Sequence, residues 1–85
     1  MGMVNKVVPH EELLPAAMDL ASRLAKGATQ SMSLIKYLVH KSLETSLKES
    51  VEIAHAAQEH VRRTEDHKEG VRAFLEKRDP VFKGR

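Results

Sequence analysis

Histidine and carboxylate side chains are the groups in this sequence that could hold a metal ion or transfer protons. No two of the five histidines have the i, i+4 spacing of a helical zinc motif, and no cysteine is present to complete a metal site. Glu59-His60 and Asp66-His67 place a carboxylate beside an imidazole, but neighbouring residues on a helix point to different sides. We therefore predict no metal site and no catalytic residue, and we expect all of the histidines at the surface: His10, His40, His55, His60 and His67.

Basic residues could bind nucleic acid, but their arrangement in this sequence argues against it. The 14 basic and 12 acidic residues are interspersed and give a formal net charge of +2. The basic pairs Arg62-Arg63 and Lys77-Arg78 lack interleaved aromatic residues and have acidic residues nearby. We expect no nucleic-acid partner.

Composition limits the size of the core. With 85 residues, of which 4% are aromatic, the chain can form at most one domain with a small core. The absence of cysteine fits a reducing compartment. No apolar run reaches the length of a signal peptide's apolar region or of a membrane span. We expect a soluble, cytoplasmic protein without a membrane partner.

Apolar residues recur at helical spacing, which predicts an all-α fold of three to four short helices. The expected helices cover residues 11–25, 29–43, 47–63 and 65–77. Ser46 and Glu49 form a Ser-x-x-Glu capping box at the start of the third helix. Thr64 can cap the fourth helix, and Asp79-Pro80 should end it, because a residue before proline is driven out of the helical conformation.

The N-terminal residues depart from this helical pattern. Val4, Val7 and Val8 form a short β-branched run that Pro9 ends. Residues 1–9 are therefore predicted to form a short extended segment or strand before the helical region, residues 10–85. A single strand needs a partner from outside this segment or from another chain.

Each predicted helix has only one moderately apolar stripe. We therefore expect the chain on its own to be marginally stable and to self-associate.

The most distinctive part of the sequence lies near its C-terminus. It reads Thr64-Glu65-Asp66-x-x-Glu69-Gly70-x-x-Ala73-Phe74-x-Glu76-Lys77-Arg78-x-Pro80-x-Phe82-x-Gly84. This pattern closely resembles the end of the crotonase superfamily, the enoyl-CoA hydratases and isomerases. Residues 2–9 are similar to the strand that enters that family's C-terminal helices. The family's internal motifs are matched by Leu34-Ile35-Lys36 and Leu43-Glu44-x-Ser46-Leu47.

The resemblance implies that the chain corresponds to roughly the last third of a crotonase-type enzyme, the segment that forms trimers or dimers of trimers. The family's oxyanion hole and catalytic glutamates precede this segment, so no catalysis is expected from it alone. The implied parent enzyme acts on acyl-CoA in fatty-acid or related metabolism, with the coenzyme A thioester as substrate and no covalently bound cofactor. Whether the chain belongs to an active enzyme stays open. A truncated product, a cloned subdomain or a proteolytic fragment would each yield such a chain.

Two residues of the fourth helix are candidates for coenzyme A contact by this resemblance. Phe74 matches the family position whose ring lies against the adenine, and Lys77 matches the position whose ammonium reaches the phosphates, often across a subunit boundary. Residues i and i+3 share a helix face, so both could touch one ligand. From spacing alone, Phe74 also fits a core position beside Val71 and Leu75, and Lys77 and Arg78 fit a helix C-terminus, which favours cations.

An alternative function is a free-standing helical module for protein-protein interaction, with stripes that bind another protein's helices and no link to acyl-CoA. Gly70 fits both functions. A glycine inside a helix costs about 1 kcal/mol relative to alanine, so its presence indicates close packing. We expect that packing to be against the third helix or against another subunit.

Overall fold

The computed structural model describes residues 2–85 and consists of four α-helices after a short 3₁₀ turn at His10–Glu12. The helices are α1 (Leu13–Ala25), α2 (Thr29–Ser42), α3 (Leu47–Arg62) and α4 (Glu65–Glu76). No β-strand is formed within the described range. The predicted all-α fold is confirmed, and each helix begins and ends within two residues of its expected bounds.

The segment before the helices is irregular rather than a strand. Residues 2–9 have no regular secondary structure, and Pro9 has an extended backbone with φ −54° and ψ 151°. A strand requires hydrogen bonds to a neighbouring strand, and residues 2–85 provide none. Met1, the first residue of the predicted extended segment, lies outside the described range.

Side-chain caps fix the beginnings of α3 and α4. Ser46 Oγ accepts from the backbone N–H of Glu49 at 3.2 Å, while Glu49 Oε2 accepts from the backbone N–H of Ser46 at 2.9 Å. Thr64 Oγ1 accepts from the backbone N–H of His67 at 3.1 Å. Both predicted caps are confirmed. The hydrogen bonds from Ser46, led by its backbone N–H, lower the pKa of Glu49.

The end of α4 differs from the prediction. Asp79-Pro80 does not terminate the helix, because Lys77 already has a left-handed backbone, with φ 54° and ψ 43°. The Lys77 N–H donates to the Phe74 carbonyl at 3.3 Å, and the Arg78 N–H donates to the Ala73 carbonyl at 3.0 Å. These two bonds form a Schellman motif, which satisfies the last carbonyl groups of the helix.

The helices do not enclose a core of ordinary size. α2 packs against α3 and α3 packs against α4, while α1 mainly contacts the 3₁₀ turn. Within residues 2–85, only Ala73 (1% exposed) and Asp66 (3% exposed) are buried. The accessible surface is 7483 Å², whereas a globular monomer of this size exposes about 5,000 Å². The predicted small core is therefore confirmed.

The predicted apolar stripes are only partly turned inward. Met32, Leu38, Ala54, Ala57 and Val61 are half-buried between neighbouring helices. Other members of the stripes are exposed, because no further element covers their side of the helix: Leu20, Leu24, Ile35, Val39, Leu43, Val51, Val71, Phe74 and Leu75.

Candidate functional site

Phe74 lies on the exposed side of α4 and lines an apolar groove. Its side of the helix faces away from buried Ala73, and the residue is 82% exposed. The groove is open, has a volume of about 380 Å³, and is also lined by Val61, Val71, Leu75 and Phe82. The core position that spacing alone suggested for Phe74 is wrong within residues 2–85. An exposed ring beside an apolar groove can instead receive the flat face of a ligand.

Lys77 lies one residue beyond α4 and does not line this groove. Phe74 and Lys77 were expected to share one helix face because they are three residues apart. Lys77 has a left-handed backbone, so it does not continue the face of α4 on which Phe74 lies. The ammonium forms no hydrogen bond or ion pair with any residue from 2 to 85. Its backbone N–H bonds the Phe74 carbonyl at 3.3 Å, so the two candidates are joined through the main chain.

Arg78, the other basic residue here, is fully engaged within the chain. Its guanidinium binds Glu69 with two hydrogen bonds, Nη1 to Oε1 at 2.6 Å and Nη2 to Oε2 at 3.1 Å. Its Nε also donates to Glu76. Paired hydrogen bonds of this kind are stronger and more directional than a single contact. Arg78 therefore holds the segment after α4 in place, which is more than the helix-dipole role predicted from spacing.

Glu69 links α4 to the residues that follow it. Besides binding Arg78, its Oε1 accepts from the backbone N–H of Val81 at 3.1 Å. The hydrogen bonds from Arg78, followed by that from Val81, lower the pKa of Glu69 from 4.5 to about 2. The hydrogen bonds that Arg78 donates to Glu69, and then to Glu76, raise the pKa of Arg78.

Asp66 is the buried acidic residue among residues 2–85, and it was quoted in the C-terminal pattern without a role of its own. Its Oδ1 accepts from the backbone N–H of Lys83 at 2.7 Å, and its Oδ2 accepts from that of Gly84 at 2.8 Å. The backbone N–H of Asp66 donates in return to the Arg85 carbonyl at 2.8 Å. The partners are 17 and 18 residues away, beyond the reach of any local pattern.

The C-terminal residues lie across α4 and reach the start of α2. Gln30 Nε2 donates to the Gly84 carbonyl at 3.1 Å. Gly84 has φ +77°, and a Cβ there would lie 2.9 Å from Thr29 Oγ1, so a side chain would be both strained and crowded. The ring of Phe82 lies over Gly70, 3.6 Å from where a Cβ would stand. Phe82, not α3, therefore packs over Gly70, and at an ordinary contact distance rather than the close packing that was predicted.

Among residues 2–85, no three His, Asp or Glu side chains come together as a metal site would require. No helix in the same range combines the length and apolar character needed to cross a bilayer.

The chain is similar to proteins that act on coenzyme A thioesters. Residues 1–85 match the enoyl-CoA hydratase/isomerase family. The chain is 38% identical over 88 residues to carnitinyl-CoA dehydratase of Salmonella paratyphi B, covering 99% of this chain and 34% of that protein. A solved enoyl-CoA hydratase/isomerase from Mycobacterium paratuberculosis superimposes with a TM-score of 0.91 at 34% identity, covering 99% of this chain and 33% of the other. Enoyl-CoA hydratase from Bacillus anthracis gives a TM-score of 0.84 at 32% identity, covering 93% and 31%.

The four helices and the C-terminal residues that bind back onto α4 define a C-terminal helical segment of the crotonase fold. The chain belongs to the enoyl-CoA hydratase/isomerase family. It spans about a third of the length of the curated relatives that it matches.

Proposed function

We propose that this chain is the part of an acyl-CoA hydratase or isomerase that forms the oligomer and supplies part of the coenzyme A site. In this role Phe74 stacks on the adenine and Lys77 contacts the phosphates. The proposed oligomer is a trimer or a dimer of trimers. The reaction is carried out by residues outside this segment and belongs to fatty-acid or related acyl-CoA metabolism.

The observation that carries the proposal is the exposure of Phe74 at an apolar groove. A phenylalanine that is 82% exposed gains nothing from burial in this chain. Its ring is available to a flat ligand, and stacking of an aromatic side chain on a base is worth about 1 to 3 kcal/mol. The coenzyme A substrate named for the carnitinyl-CoA dehydratase relative supports adenine as that ligand.

Lys77 supports the proposal through its backbone and its charge. A left-handed backbone costs a residue with a side chain about 1 to 2 kcal/mol, and glycine is the usual residue at this position. Residues held in strained conformations are found preferentially at functional sites. An ammonium with no partner among residues 2–85 is also available to a phosphate.

The exposed apolar surface supports the proposed oligomer. Monomeric proteins rarely leave large apolar patches in water, and such surface marks contact with other parts of a protein or with other subunits. Every helix of this chain exposes large apolar side chains, among them Leu14, Met18, Ile35, Leu47, Phe74 and Leu75.

The coenzyme A role is tested in the full-length protein that contains this segment. Phe74→Ala should raise the KM for acyl-CoA roughly tenfold, because a stacking contact is lost. Lys77→Ala should raise it about threefold at low salt and less at high salt, because an exposed charge pair is weak and screened. In both variants kcat should change little, since neither side chain meets the reacting atoms.

Tyr37→Ala is the matched control, because it removes an aromatic ring that is 53% exposed and lies outside the groove. Its KM should equal that of the wild type. An unchanged KM in both Phe74→Ala and Lys77→Ala would contradict the proposed site.

A further inference from the structure

The C-terminal residues form one wall of the groove that carries Phe74. The ring of Phe82 lines the groove together with Phe74 and Leu75, and it lies over the backbone of α4 at Gly70. Phe82 is not part of a helix, and it follows α4 by six residues. The shape of the groove therefore depends on what holds the C-terminal residues against α4.

Hydrogen bonds from the main chain hold Phe82 on both sides. On one side, the Val81 N–H donates to Glu69 at 3.1 Å. On the other side, the N–H groups of Lys83 and Gly84 donate to separate oxygens of Asp66, at 2.7 and 2.8 Å. We call these contacts of Asp66 and Glu69 with the main chain of residues 81–84 the tail clamp.

Asp66 is the stronger half of the tail clamp. It is 3% exposed, so its hydrogen bonds are shielded from water, whereas the side chain of Glu69 is 18% exposed. Asp66 also accepts two main-chain N–H groups from residues 81–84, whereas Glu69 accepts one. The Asp66 N–H also donates to the Arg85 carbonyl. Asp66 therefore makes three hydrogen bonds to residues 79–85, which we call the tail.

The start of α2 restricts the tail from the other direction. Gln30 binds the Gly84 carbonyl, and Thr29 leaves no room for a side chain at position 84. The tail is therefore seated between two helices that are 23 residues or more apart in sequence. This arrangement fixes its position more firmly than contact with α4 alone would.

We propose that Asp66 is a positioning residue for the coenzyme A groove: by holding the tail, it places Phe82 as the wall beside Phe74. This inference rests on the proposed function. Asp66 also lines the groove, and its proposed role is to act through Phe82 rather than to bind the ligand itself. If the groove is formed in only a fraction of the molecules, the apparent affinity for the ligand falls in proportion to that fraction. Loss of the tail clamp should therefore weaken binding without any change in the reacting residues.

The test measures two quantities in the full-length protein, the dissociation constant of free coenzyme A and the hydrogen exchange of the peptide containing residues 79–85. Asp66→Ala should speed exchange in this peptide and raise the dissociation constant about tenfold, as expected if the tail is seated about a tenth of the time. Gly84→Ala should do the same, because it displaces the tail without altering α4. If Asp66→Ala fails to fold, Gly84→Ala still tests the inference. Glu59→Ala, which breaks an exposed ion pair on α3, is the control and should change neither quantity.

A double-mutant cycle separates positioning from general stability. Phe82→Ala should weaken binding about as much as Asp66→Ala, and the double variant should be no weaker than either single variant. Additive losses, or faster exchange with an unchanged dissociation constant, would overturn the inference. Phe74→Ala tests the proposed function in the same assay. If it weakens binding while Asp66→Ala and Gly84→Ala do not, only the role of Asp66 is refuted; if Phe74→Ala has no effect, the proposed site itself fails.

Discussion

Lys77 holds its backbone in the left-handed region at the end of α4, and helices that end in this way usually have glycine there. Among residues 2–85 it is the only residue other than glycine with a positive φ. Its side chain is exposed and makes no ion pair in that range. Stability therefore favours glycine at this position, while the proposed phosphate contact favours lysine.

Lys77→Gly should separate these two effects. The free energy of unfolding should rise by about 1 kcal/mol, because glycine has no Cβ to strain the left-handed backbone. Coenzyme A affinity should fall, because the ammonium is lost. Urea denaturation and calorimetry measure the two quantities. Lys77→Ala is the control and should lose affinity without gaining stability. Undiminished affinity in both variants would exclude Lys77 from the site.

Glu69 predicts a pH dependence of stability. Its pKa is lowered from 4.5 to about 2 in the folded chain. A lowered pKa means that the ionised form stabilises the fold above pH 4.5, and that this contribution is lost as the pH falls towards 2. Glu69→Gln should therefore be less stable than the wild type at neutral pH, and the difference should disappear near pH 2.

Thermal unfolding between pH 2 and 7 measures this difference. Glu59→Gln is the control, because Glu59 pairs with Arg62 on an exposed helix face, where ion pairs contribute little. A gap between wild type and Glu69→Gln that persists unchanged at pH 2 would show that the hydrogen bonds to Arg78 and Val81 do not depend on the charge of Glu69.

The candidate site could be predicted only in part from single residues. Phe74 and Lys77 were proposed through the resemblance of the C-terminal pattern, while spacing alone placed Phe74 in a core that this chain does not form. Asp66 was not found, because an aspartate in the first turn of a helix is common and already explained by the helix dipole. Its bonds to Lys83 and Gly84 join residues whose proximity depends on the whole fold.

At the scale of elements, the helices were predictable because local chemistry sets them. The Ser46–Glu49 capping box and the Thr64 cap each act within four residues, so the sequence contains all the information. The end of α4 was not predictable in the same way. A rule based on Pro80 gives only the last residue at which the helix could continue, and a non-glycine residue in a Schellman motif has no clear sequence signal.

Gly70→Ala tests the packing between α4 and the tail. A Cβ at this position would lie 3.6 Å from the Phe82 ring, which is an ordinary contact distance. The substitution should therefore stabilise the chain by about 0.5 to 1 kcal/mol, because alanine loses less entropy than glycine in a helix. Urea denaturation at one protein concentration measures the change.

Gly84→Ala is the control for this experiment, and its expected change in stability has the opposite sign. A Cβ there would lie 2.9 Å from Thr29 Oγ1 on a backbone with positive φ, so stability should fall. Destabilisation by Gly70→Ala would mean that Phe82 or another group approaches α4 more closely than described here.

At the scale of the whole molecule, the chain is extended and thin. Its dimensions are 44 × 39 × 19 Å and its radius of gyration is 16.3 Å, compared with about 12 Å for a compact domain of this length. The small core followed from composition and helix patterning. The sequence alone could not say which stripes stay uncovered, because that depends on how the helices are arranged.

The central claim is that these uncovered faces belong to a larger assembly. Sedimentation equilibrium of the 85-residue chain at micromolar concentration tests it most directly. We predict discrete species of three or six chains, because the exposed apolar side chains of the four helices need partners. A monodisperse monomer with cooperative unfolding would contradict it.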